Sequence, residues 1–167
     1  EKTLARTREL IPPNARTLEL GCGTGTAALR LADAAGSYLA TDISANMIAI
    51  SEEKLASARQ DGFSAQLAFR QATAGTLARE GARHDVVIAL NYLHLAGSLP
   101  AVLGDIRTLL VPGGLFISKT PCIGEMNPLI RLAIPLMRLV GKAPNVTTFS
   151  AAELAGAVRA AGFTILE

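Results

Sequence analysis

Three glycines at alternate positions, Gly21, Gly23 and Gly25, follow directly on the apolar run of residues 17–20, and a helix-like run begins at Thr26. A strand that turns through glycines into a helix is the opening of a crossover unit, and it commits the chain to a parallel sheet. Three glycines in five residues cost backbone entropy. A loop that keeps them uses their freedom to turn or to let a ligand approach the backbone.

The same alternation continues to the end of the chain. Strand-like runs at residues 38–41, 65–70, 85–90 and 115–119 are separated by helix-like runs at 26–35, 44–61 and 98–110. A short helix is expected at 3–10, before Pro12-Pro13, and residues 71–84 read mostly as loop with room for a helical turn. The run 111–114, Val-Pro-Gly-Gly, closes the helix before it. Ser150 with Glu153 three residues on forms a capping box for a helix over 150–161, and residues 163–167 read as the start of a further strand. Residues 127–140 form an apolar helical segment bent at Pro135, inside an insertion at about 123–145. The reading is a single α/β domain over 1–167, with a Rossmann-like, doubly wound, mostly parallel sheet and helices on both faces.

Composition narrows the function classes. The 167 residues are 50% hydrophobic and 18% charged, too apolar for a disordered chain. Aromatics make up 4%, so stacking of bases on ring platforms is disfavoured. A net charge of +2 without a Lys/Arg block gives no footprint for nucleic acid. Two cysteines, Cys22 and Cys122, make no disulfide framework and have no metal-ligand spacing, so no metal is expected and a cytoplasmic location fits. The run 127–140 carries Arg131, Pro135 and Arg138 and is too short to span a membrane.

In a doubly wound sheet, ligands bind beyond the C-terminal ends of the strands. The glycine loop lies there, and the following helix N-terminus favours a carboxylate or phosphate. A dinucleotide loop is usually G-x-G-x-x-G; here Thr26 stands at the third glycine's place, and G-x-G-x-G suits a compact ligand with a carboxylate. Glu19 adds a negative group that could meet an ammonium through water. Asp42, at the end of the second strand, is placed to accept hydrogen bonds from both hydroxyls of a ribose, which leaves S-adenosylmethionine and NAD equally served at that residue.

Taken together, Leu18-Glu19-Leu20-Gly21-Cys22-Gly23-Thr24-Gly25, Thr41-Asp42-Ile43-Ser44-Ala45-Asn46-Met47 and Leu109-Leu110-Val111-Pro112-Gly113-Gly114 resemble, in order and interval, the class I S-adenosylmethionine-dependent methyltransferases. Asp85-Val86-Val87 with Asn91-Tyr92-Leu93-His94 fits the same series. The resemblance implies S-adenosylmethionine as cofactor. It places the methionine part on the backbone of Gly21, Gly23 and Gly25, with Glu19 and Cys22 beside it and Asn91 at the amino-acid end. Asp42 would hold the ribose, with Ile43 on the adenine and Met47 in the same motif. Thr73 stands where the family often has an acid touching the adenine amine. His84 replaces a usual Phe. The family's last, antiparallel strand is expected to be missing from this chain.

The reaction so implied is in-line displacement, in which the protein aligns two reactants. Tyr92 and His94, just beyond the fourth strand, are the candidates for substrate contact; His94 is either a general base or a packing residue. The acceptor expected is a small, partly apolar molecule. The segment 127–140 reads as a lid, a homodimer surface, a membrane-contacting helix or a buried packing helix. An NAD-dependent oxidoreductase and a non-catalytic S-adenosylmethionine-binding protein are the alternative functions.

Overall fold

The computed structural model describes residues 1–121 and 149–167. The apolar segment 127–140, the insertion at about 123–145 and Cys122 lie outside the described residues.

Five strands form one sheet: β1 (Arg16–Leu20), β2 (Ser37–Asp42), β3 (Leu67–Gln71), β4 (His84–Leu90) and β5 (Leu110–Lys119), in the order β3-β2-β1-β4-β5. Every pairing is parallel. Strand order reverses at β1, which lies between β2 and β4, and the first glycine loop leaves the sheet at that switch point.

Alternation along the strands builds two cores. Tyr38, Ala40, Val86 and Ile88 face α1 (Lys2–Leu10), α2 (Ala28–Leu31) and α3 (Ala45–Gln60). Leu18, Leu20 and Val87 face α4 (Ala74–Arg79), α5 (Leu99–Leu109) and α6 (Ala151–Ala160). β1 and β4 are buried on both faces, which is why residues 86–89 are continuously apolar. The helix starts follow the chemistry of their caps. Ser44, Thr73 and Ser98 each accept a hydrogen bond from a first-turn N–H, and Ser150 with Glu153 completes the capping box.

Four expectations are corrected. The helix expected over 26–35 is a single α-turn, Ala28–Leu31, followed by a 3-10 turn at Ala32–Ala34. The helical turn expected within residues 71–84 is longer, a 6-residue helix α4, because Thr73 caps it and Ala74 and Leu77 give it a buried face. β5 starts at Leu110 rather than at 115: His84 pairs with Leu110 and Val86 with Leu115, so the residues between, including Pro112 and Gly113, bulge from the ladder inside the strand. Residues 163–167 form no strand. Phe163 packs on Phe116 with ring centroids 5.5 Å apart, and Glu167 turns to Arg6 at 2.7 Å, so the tail is held by side chains instead of a ladder.

Candidate functional site

The glycine loop joins β1 to α2. Gly21, Gly23 and Gly25 have φ of +71°, +54° and +72°, the left-handed region that glycine enters without steric cost. Two of them are also pressed from outside. A Cβ on Gly21 would lie 2.6 Å from Cδ2 of Tyr92, and one on Gly25 would lie 2.6 Å from Cζ of Phe69. Gly23 has open space around it, and its N–H donates to Oδ2 of Asp42 at 2.9 Å. Lys54 from α3 braces the loop: its Nζ donates to the Thr24 carbonyl at 3.1 Å and to Thr24 Oγ1 at 2.9 Å.

Asp42 is thus tied to the loop. Its other oxygen, Oδ1, accepts from the N–H of Ser44 at 2.9 Å. Each carboxylate oxygen retains a second lone pair, so both remain able to accept a hydroxyl. Next to it Ile43 is 73% exposed, so its apolar side chain is open to a flat ring. Gln71 Nε2 donates to the Ile43 carbonyl at 2.9 Å and fixes that turn. Met47 is half-buried in the first turn of α3. Thr73 Oγ1 accepts from the Thr76 N–H at 3.1 Å; its side chain is engaged as the cap of α4, across the strand end from Ile43.

Beside the loop lies a cleft of about 370 Å³, lined by Glu19, Gly21, Cys22 and Asn91 together with Thr3 and Lys119. Glu19 is 2% exposed and its Oε2 accepts from the Tyr38 hydroxyl at 3.0 Å. Burial pushes its carboxyl up to about 7, against the opposing effect of the Tyr38 bond. Cys22 is buried and its thiol is pushed up to about 12, first by burial and then by Glu19 and Asp42, so it stays protonated and unreactive. Asn91 adopts a φ of +55° while its N–H donates to the Lys119 carbonyl at 2.7 Å, which joins the ends of β4 and β5. Lys119 Nζ donates to Thr3 Oγ1 at 2.9 Å.

Of the residues expected at a site, Glu19, Gly21, Cys22 and Asn91 share the cleft, and Gly23, Gly25, Asp42, Ile43, Met47 and Thr73 lie along the adjoining strand ends. Tyr92 and His94 do not line the cleft. Tyr92 lies over Gly21, and burial, then Asp105 and Asp42, push its hydroxyl up. His94 sits in a 3-10 turn, Leu93–Leu95, where burial lowers its pKa; its Nδ1 is shielded and has no partner among the described residues. An unprotonated ring is the form a general base needs. The sequence reading missed Thr3 and Lys119. Lys119 was findable, since it ends β5 at the same end of the sheet where Asn91 follows β4; Thr3 was not, because nothing local to α1 aims it at β5. No group of three or more metal-ligating side chains is assembled among the described residues.

A family model described as a methyltransferase domain matches residues 18–116. The chain is 34% identical over 113 residues to the hybrid PKS-NRPS synthetase lepA of Aspergillus flavus, covering 63% of this chain and 3% of that protein. It is 37% identical over 113 residues to the highly reducing polyketide synthase ACTTS3 of Alternaria alternata, covering 63% of this chain and 4% of that one. The chain therefore spans a few per cent of the length of the curated relatives it matches. Among solved structures, an S-adenosylmethionine-dependent methyltransferase from Mesorhizobium loti superposes with a TM-score of 0.76 at 19% identity, over 97% of this chain and 80% of that one.

Proposed function

This chain belongs to the methyltransferase domain family, and from that premise we propose which of its residues hold the methyl donor and what kind of molecule it methylates. We propose that its methyl donor is S-adenosylmethionine, the donor named for the structurally similar methyltransferase of Mesorhizobium loti. The NAD-dependent alternative does not fit that membership; a non-catalytic member of the family is the second reading, and it predicts cofactor binding without methyl transfer.

The observation that carries the residue assignment is the glycine loop tied to Asp42, with a buried acid at its base and an open cleft beside it. Bound S-adenosylmethionine supplies an activated methyl group on a sulfonium. The chain's part is to hold and align it. Gly21, Gly23 and Gly25 bring the backbone close, and Asp42 accepts the ribose hydroxyls. Ile43 supports the adenine, with Met47 and Thr73 at the adenine side. Glu19 has one donor and room for another, and an ammonium beside it would favour its charged form. Cys22 contributes a small side chain, and Asn91 contributes backbone at the amino-acid end. The single α-turn of α2 gives little dipole, so Lys119 is the group that holds the carboxylate. We assign Tyr92 and His94 to the acceptor side, His94 as the base if the nucleophile carries a proton.

The acceptor proposed is a small, partly apolar molecule. Relatives that are polyketide synthases make polyketide-like carbon chains the first class to test. Among the described residues no helix is long and apolar enough to cross a membrane. A cytoplasmic location and a homodimer through 127–140 stay part of the proposal. Incubation with methyl-labelled S-adenosylmethionine and a metabolite extract, followed by mass identification, tests the function. A labelled small organic product is expected; label confined to protein or nucleic acid contradicts it.

A further inference from the structure

A cleft of about 630 Å³ lies at the opposite end of the sheet from the glycine loop. It opens where β1, β2, β3 and β4 begin, and Arg16, Thr17, Tyr38, Arg59, Arg83 and His84 are among its walls. β1 alone separates the two ends by about 13 Å, at roughly 3.3 Å per residue, so a molecule held here is not the methyl acceptor.

Charge in this cleft is one-sided. Arg16, Arg59 and Arg83 line it and no Asp or Glu does. Arg16 is neutralised by Asp85, with Nε–Oδ2 and Nη2–Oδ1 both at 3.2 Å. Arg59 and Arg83 meet only backbone among the described residues: Arg59 Nη2 donates to the Leu67 carbonyl at 3.3 Å and Arg83 Nη1 to the Ala82 carbonyl at 2.9 Å. Each guanidinium has five N–H donors in a planar fork, so most of that capacity is unspent.

The wall between them is polar without partners. Thr17, 1% exposed, has a shielded Oγ1 with no hydrogen bond among the described residues, and so do both ring nitrogens of His84. These are three of the four such side-chain atoms among the described residues, and they fall on one cleft. Unpaired buried polar atoms are rare in folded proteins, and each one asks for a missing partner. Phe63, Leu39 and Leu67 supply an apolar floor.

We propose that this cleft is a second ligand site, for a small organic anion that presents a phosphate or carboxylate to Arg59 and Arg83 and an apolar body to Phe63 and Leu67. The anion is then the partner we assign to Thr17 and His84, which line the same cleft. The inference does not depend on the methyl-donor site, since it uses no residue of that site.

The test follows the imidazole resonances of the full chain during titration with phenyl phosphate and, separately, benzoate. The chain has 2 histidines, so the spectrum of His94→Gln assigns His84. The expected result is a saturable shift of His84 with at least one probe, absent with chloride at equal ionic strength. Whichever probe shifts it identifies the head group. The Arg59→Gln/Arg83→Gln variant should weaken the response at least tenfold while S-adenosylhomocysteine binding, measured on the same sample, shows that the fold is intact. No saturable shift with either probe overturns the proposal, as does a response unchanged in the double variant, which would assign ordered water alone to Thr17 and His84.

Discussion

The backbone N–H of Gly23 donates to the carboxylate of Asp42 at 2.9 Å, across the gap between the ends of β1 and β2. The residue proposed for the ribose therefore also fixes the loop proposed for the methionine part. One substitution should disturb both. Asp42→Ala removes the acceptor of two backbone N–H groups, from Gly23 and Ser44. Hydrogen bonds to a charged group contribute about 1.5–3 kcal/mol each, so stability should fall by about 2 kcal/mol or more. Asp42→Asn should fall less. Urea denaturation checks the order, and S-adenosylhomocysteine affinity should drop in the same order.

Gly21→Ala meets two penalties. A left-handed φ of +71° costs an ordinary residue about 1–2 kcal/mol, and the new methyl would sit 2.6 Å from Tyr92. Adding Tyr92→Ala should relieve the contact but not the backbone strain. A double-mutant cycle by denaturation should give a coupling that favours the pair; strict additivity would show that the ring does not press on the loop.

Glu19 makes a pH signature. Its folded value, raised to about 7 from an ordinary 4.5, means that the folded state holds this proton more tightly than the unfolded chain. The stability it contributes is complete below 4.5 and is lost as pH rises to about 7, then stays level. Glu19→Gln should remove that slope between pH 4.5 and 7. Denaturation midpoints at half-unit intervals compare the two proteins; equal slopes would contradict the burial of a titrating carboxyl.

Lys119 should discriminate between ligands that differ by a carboxylate. Lys119→Met is expected to weaken S-adenosylhomocysteine about tenfold or more, while 5′-methylthioadenosine, which lacks the amino acid, binds as before. Calorimetry with both ligands checks this. Equal losses for both would assign Lys119 to packing against Thr3.

Much of this was legible in the sequence, for physical reasons that differ by element. The alternating glycines, the acid after β2 and the unbroken apolar run 86–89 each encode a local requirement: a left-handed turn, a helix entry, a strand buried on both faces. Caps are equally local, and Ser150 caps as its spacing to Glu153 predicts. What failed was decided at a distance. Residues 163–167 have strand composition, but Phe163 is captured by Phe116 and Glu167 by Arg6. The helix after the loop shortens because the turn at Ala32–Ala34 returns the chain to β2. Thr3 reaches the cleft only through its bond to Lys119, 116 residues away.

The glycine loop and Asp42 are the residues proposed to hold S-adenosylmethionine. Isothermal titration of the full chain with S-adenosylmethionine, S-adenosylhomocysteine and NAD tests that assignment most directly. One site per chain for the two sulfur ligands, weakened in Asp42→Ala and with no comparable response to NAD, is the predicted result. No heat from either sulfur ligand with a folded chain, or tighter binding of NAD, would contradict it.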